Sequence, residues 1–150
     1  MKPQRPDSMD TARRPYRLGW GLLMATTMLW LLWMTSRPGG AASGLNLIPL
    51  AESGRAVACL VNDPCPYQRR AFWLLLINVA GNVLVFVPLG LGLAGWRHRT
   101  HSRQTLQVVA LGGFLVSLAI ELMQLAILSR ATDVDDLIFN TLGALLGGLL

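Results

Sequence analysis

The sequence predicts an all-α integral membrane bundle of about four transmembrane helices with a cytoplasmic N-terminus, and three observations support that reading. Hydrophobic residues make up 53% of the 150 positions and charged residues only 14%, a membrane balance. The apolar residues fall in blocks at 18–34, 72–96, 106–128 and 137–150, and about 20 apolar residues cross a bilayer as a helix. The charges are also partitioned. With the N-terminus inside, Lys2, Arg5, Arg13, Arg14, Arg17, Arg97, Arg99 and Arg103 lie in cytoplasmic segments against Asp7 and Asp10 alone. The segments on the other side balance, with Arg37, Arg55, Arg69, Arg70 and Arg130 against Glu52, Asp63, Asp133, Asp135 and Asp136. Short loops rich in Lys and Arg stay in the cytoplasm. The net charge of +5 therefore reports orientation in a multi-pass membrane protein, and no nucleic-acid partner is needed to explain it.

Residues 1–16 are polar, basic and proline-containing and read as a disordered cytoplasmic tail, leaving 17–150 as the membrane domain. The first helix is expected at about 18–36. A cleaved signal peptide competes for this block, but its apolar run of about 17 residues exceeds the usual signal core of about 7 to 15, so a retained helix is expected. The segment 37–70 follows on the outer side. Its stretch Leu45-Asn46-Leu47-Ile48-Pro49-Leu50 is too short to span and reads as an interfacial loop or short amphipathic piece. Cys59 and Cys65 flank the turn signal Asn62-Asp63-Pro64 in a compartment that permits disulfides, so a structural bridge is expected over two free thiols.

The second helix, about 72–96, contains Pro88 and should kink there. His98 and His101 form an H-x-x-H among arginines in the next loop, where a solvated loop explains them better than zinc. The third helix, about 105–128, contains the costliest residue of the chain, Glu121, since a carboxylate inside a spanning run is expensive to retain. The fourth, about 136–150, gives roughly 22 Å at 1.5 Å per residue against a hydrocarbon core of ~30 Å, so it is short or truncated. Its Gly143 and Gly147 form a small-residue face suited to packing inside the bundle or to a homo-oligomer.

Polar residues form stripes on three of the helices. Asn78 and Asn82, Glu121 and Gln124, and Asp136 and Asn140 are each three or four apart, hence on one face. Counted inward from the outer ends, Asn78 and Asn82 lie roughly 9 and 15 Å deep, Glu121 about 12 Å, Gln124 about 7 Å and Asn140 about 6 Å. Matching depth predicts that these faces meet in one outward-open pocket, with Arg130, Asp133, Asp135 and Asp136 at its mouth. Bland readings stand beside this one. Membrane Asn and Gln often serve as interhelical glue worth about 0.6 kcal/mol, and Asp133 and Asp135 could complement the dipole of a helix capped by Thr132.

Taken in order, Asn46-Leu47-Ile48-Pro49, then Asn78-x-x-Gly81-Asn82-x-x-x-Phe86-x-Pro88-x-Gly90, then Glu121-x-x-Gln124, Arg130 and Asp133-x-Asp135-Asp136-x-x-x-Asn140-Thr141-x-Gly143, the chain resembles the VanZ-like family of small membrane proteins. The resemblance covers about two thirds of the sequence, and it is the ordered series that is specific. It implies a helical protein of the bacterial cytoplasmic membrane whose namesake lowers sensitivity to teicoplanin, and it implies no known reaction or cofactor. The family's recurrent polar positions map onto Asn78, Asn82, Glu121, Gln124, Arg130, Asp133, Asp135, Asp136 and Asn140. Three functions compete: recognition of an amphipathic envelope lipid or a lipoglycopeptide, metal-assisted intramembrane catalysis, and a structural role as a partner subunit. The catalytic reading would use Glu121 and Asp136, with Asp133, Asp135 and Asp136 as candidate metal ligands.

Overall fold

The computed structural model of the chain describes residues 8–37, 45–62, 65–97, 102–126 and 132–150. In chain order these form α1 (Ser8–Thr35), β1 (Leu45–Asn46), α2 (Ala51–Val61), α3 (Gln68–Leu75), a π-helical turn (Leu76–Gly81), α4 (Asn82–Arg97), α5 (Arg103–Leu125), β2 (Thr132–Asp133) and α6 (Val134–Leu149). The fold is an all-α membrane bundle. Three helices, Tyr16–Thr35, the continuous 30-residue Gln68–Arg97 and Arg103–Leu125, are long and apolar enough to cross a membrane. The fourth, α6, has 16 residues.

The helix ends follow from local chemistry. Ser102 accepts from the Thr105 backbone N–H at 3.1 Å and so caps α5. Asp133 caps α6 by accepting from the Asp135 N–H at 3.0 Å. The cap expected at Thr132 therefore sits one residue later, on a side chain that reaches the first turn equally well. Helix α1 starts at Ser8, so much of the stretch read as a disordered tail is helical. Extending an existing helix costs far less than nucleating one, and Met9, Ala12, Arg13 and Arg14 are good helix formers.

Two elements departed from the sequence reading of the second helix and the outer segment. The outer segment contains an amphipathic helix, α2, which has no buried residue. The second helix is wound as a π turn through Asn78, a winding that hydrophobic periodicity does not reveal. Residues 1–7, Asp63 and Pro64 of the expected turn, the His98/His101 pair and Arg130 lie outside the described residues.

Packing centres on α6, which lies against both α4 and α5. Its small residues decide how close it comes. A Cβ on Gly143 would collide with the Val83 carbonyl, one on Gly147 with the Val87 carbonyl, and one on Gly90 of α4 with the Ala144 carbonyl. Gly143 and Gly147 therefore take up the intrachain option of the two weighed above, and a homo-oligomer through them would have to displace α4. On the other side α5 buries Thr105, Val109, Gly113, Ser117, Ile120, Glu121 and Gln124, a stripe of four-residue steps. Gly113 of this stripe faces the Ala144 side chain, and Val109 faces Gly148. Lipid tails are as apolar as leucine, so close van der Waals packing of small residues is what holds such helices together.

Helix α1 packs on the far end of α4, where Gly92 faces Met24 and Gly95 faces Trp20. The outer surface is studded with exposed leucine and tryptophan, as expected of residues that meet lipid. Arg37 stacks over Trp33, 3.7 Å from the ring centroid, at the end of α1, an anchor suited to a membrane interface.

Gly143→Ala and Gly147→Ala should each destabilise the detergent-solubilised protein by about 1–3 kcal/mol, because the new methyl meets a backbone that cannot give way. Gly19, around which an added Cβ meets nothing within 4 Å, provides the control. Gly19→Ala should leave the thermal unfolding midpoint unchanged or raise it, by up to ~1 kcal/mol from helix propensity alone.

Candidate functional site

A cavity of about 170 Å³ lies inside the bundle, lined by Leu31, Met34 and Thr35 of α1, Asn82, Val85 and Phe86 of α4, Ile120, Glu121 and Gln124 of α5, and Asp136 and Asn140 of α6. All four long helices contribute, each from the end nearer the Cys59–Cys65 loop. Five of the polar residues expected to converge do so: Asn82, Glu121, Gln124, Asp136 and Asn140. The two residues considered for a catalytic role, Glu121 and Asp136, share this cavity.

The polar contacts knit three helices together. Asn82 donates from Nδ2 to Asp136 Oδ1, joining α4 to α6. Asn140 donates from Nδ2 to Ser117 Oγ at 2.9 Å, joining α6 to α5. Glu121, 5% exposed, accepts at Oε2 from the Asp133 backbone N–H at 3.2 Å, which ties α5 to the start of α6. Two acceptors stay unsatisfied: Gln124 Oε1 and Asn140 Oδ1 are buried without a hydrogen-bond partner. Leaving such a group unpaired costs about 1–3 kcal/mol. Native structures keep few of them, and each calls for an explanation.

The remaining predicted residues sit elsewhere. Asn78 lies within the π turn and is half-buried, and it is not among the cavity-lining residues. The four-residue spacing that pairs Asn78 with Asn82 assumes α-helical winding. A π turn amounts to one extra residue, and one residue is about 100° of rotation. Asp133 and Asp135 form a separate cluster around the end of α6. Asp133 accepts from Asn46 Nδ2 at 2.9 Å. Asp135, only 2% exposed, accepts at Oδ1 from the Leu50 backbone N–H and at Oδ2 from Ser53 Oγ at 2.9 Å. Asp136 turns the opposite way, into the cavity. The three aspartates therefore do not point to one metal centre, and no group of three metal-ligating side chains converges among the described residues.

The segment 45–53 thus acts as a strap across the mouth of the bundle. Leu45 and Asn46 pair in parallel with Thr132 and Asp133. Asn46 also folds on itself, accepting from the Ile48 N–H at 3.3 Å. Leu50 takes a left-handed backbone, φ 59°, which costs a residue with a Cβ roughly 1–2 kcal/mol, and its N–H then points at Asp135. Cys59 and Cys65, Cα atoms 5.4 Å apart, are joined and fasten the end of α2 near the start of α3. Sequence reasoning missed Asn46, Ser53 and Ser117. Ser117 carried a usable signal, since it lies one turn before Glu121 on the same face. Asn46 was marked only as the start of the motif Asn46-Leu47-Ile48-Pro49 and Ser53 not at all, because their partners are more than 80 residues away.

The sequence profile of the VanZ/LLP1 family matches residues 20–150. The chain belongs to the VanZ/LLP1 family. Every cavity-lining residue and the whole strap fall within the matched range, so the site is part of the VanZ/LLP1 domain and not an addition to it. No curated protein and no solved structure matches the chain significantly.

In this VanZ/LLP1 protein Asp135→Ala should cost about 1–3 kcal/mol, because it leaves the Leu50 N–H and the Ser53 hydroxyl without their acceptor. The same variant should speed amide hydrogen exchange at Leu50 while leaving exchange in the middle of α5 unchanged. Exchange that accelerates uniformly would mean that the strap is not a separable unit.

Proposed function

We propose that the protein binds the polar part of an amphipathic molecule of the bacterial cell envelope, taken from the plane of the cytoplasmic membrane into the cavity around Glu121. The observation that carries this reading is the cavity itself, which gathers Asn82, Glu121, Gln124, Asp136 and Asn140 within an otherwise apolar bundle. Polar side chains are costly inside a membrane and mark ligand pathways by default. Two of the five, Gln124 and Asn140, also keep a buried acceptor without a partner.

Size limits the ligand. An engineered cavity of about 150 Å³ accommodates a benzene ring, so a cavity of about 170 Å³ admits a group of roughly half a dozen heavy atoms. A lipoglycopeptide antibiotic cannot enter whole. Any lowering of teicoplanin sensitivity would then act through the envelope molecule that the protein holds, or through one small arm of the drug. The exposed apolar flanks of the bundle suit the tail of such a molecule, which would stay in lipid.

Native mass spectrometry of the protein released from native-lipid discs tests this directly. The wild type should retain a defined amphiphile that Glu121→Gln releases, with both proteins showing the same helical circular dichroism. If both retain only the same bulk phospholipid, the cavity is structural and the proposal fails.

A further inference from the structure

Two arginines stand at the start of the long helix Gln68–Arg97 without a partner in the protein to account for them. Arg69 and Arg70 occupy the first turn of α3, where the helix dipole disfavours cations. No ion pair joins either of them to a described residue. The described acids at this end of the bundle are taken up elsewhere: Glu52 by Arg55 at 3.6 Å, Asp133 by Asn46, Asp135 by Leu50 and Ser53, and Asp136 by Asn82. Both arginines are exposed, and together with Pro66, Tyr67 and Trp73 they line an open groove of about 390 Å³. Tyr67 and Arg70 also line the adjoining groove between α2 and α3. Tyrosine and tryptophan settle at the level of lipid head groups, so Tyr67 and Trp73 set this groove at the membrane surface. Just inward of it, Phe72 and Leu74 are exposed along the span, where acyl chains run.

We propose that this groove is a second binding site, which holds the phosphodiester of an anionic phospholipid between Arg69 and Arg70. A guanidinium presents N–H donors in a planar fork that matches a phosphate, and hydrogen bonds between ionised groups are the strong ones. Tyr67 adds a hydroxyl donor and Trp73 an indole N–H donor at the same rim. A choline or ethanolamine head group carries the same phosphate but sets a cation beside it, which two arginines repel. The exposed apolar flank favours a lipid over a soluble phosphodiester, since tails lying along Phe72 and Leu74 deliver the head group at the right depth. The site is separate from the cavity around Glu121, with which it shares no lining residue, and it does not depend on what that cavity holds.

The test uses the full chain in nanodiscs holding equal amounts of phosphatidylglycerol and phosphatidylcholine with identical tails, read by native mass spectrometry of retained lipid. One basic residue at an anionic membrane surface is worth about fivefold, so the wild type should retain the glycerol lipid at least about fivefold over the choline lipid. Arg69→Gln/Arg70→Gln should bring the two lipids near parity with helical circular dichroism unchanged. Either single substitution should remove part of the preference, which keeps the test decisive if the double variant does not fold. Arg37→Gln/Arg55→Gln takes as many charges from the same end, but from cations already engaged by Trp33 and Glu52, and should keep the preference. Glu121→Gln should keep it too. Glycerophosphoglycerol, the head group without its tails, should not displace the lipid at millimolar concentration. Equal retention of both lipids by the wild type would mean that the arginines only anchor the helix, and it overturns the site. Equal loss in the two double variants, or loss in Glu121→Gln, overturns it as well. Displacement by the free head group overturns the choice of a lipid as the ligand.

Discussion

The architecture depends on how closely two backbones approach. Gly143 and Gly147 let α6 lie directly on the carbonyls of Val83 and Val87, and Gly90 admits Ala144 from the other side. A membrane offers no hydrophobic gain for apolar faces that merely trade lipid for protein, so this closeness is what lets the apolar face of α6 hold to α4. Once α6 is fixed against α4, Asp136 falls opposite Asn82 and Asn140 opposite Ser117. The polar cavity is therefore set by an apolar contact that begins within one turn of it.

Helical rotation then separates acids that are neighbours in sequence. Asp133 and Asp135 point to the strap and Asp136 points to the cavity, so one short acidic run serves both as a structural cap and as part of the cavity wall. The π turn performs a comparable separation on the other helix, ending just where Asn82 enters the cavity and leaving Asn78 outside it. Single π turns inside α-helices are frequent at functional sites. Here the turn sets the phase at which α4 presents Asn82 and Phe86.

Much of this was legible in the sequence. Apolar block length identified the long helices, and depth counted along each helix brought Asn82, Glu121, Gln124 and Asn140 together, with Asp136 on the same face as Asn140 at the mouth. These succeed because 1.5 Å per residue and 3.6 residues per turn are properties of the backbone and not of the particular protein. The misses have equally definite causes. The misplacement of Asn78 comes from a local change of winding that side-chain patterning does not encode. The strap was unreadable because its partners are separated by more than 80 residues and its key donor, the Leu50 N–H, is a main-chain group shared by nearly every residue type. The start of α1 was misread because composition reports solubility more directly than helicity.

The strap also has a consequence for biosynthesis. Residues 45–53 leave the ribosome long before α6, and their acceptors Asp133 and Asp135 lie some 85 residues downstream. At synthesis rates of about 5–20 residues per second, the outer segment waits several seconds with its donors hydrated and its register unset. Bond formation between Cys59 and Cys65 needs only a local loop and can occur during that interval. The mouth of the cavity, by contrast, closes only when α6 has entered the bundle, so a nascent chain stalled before that point displays an open, unlatched surface to whatever membrane quality control surveys it.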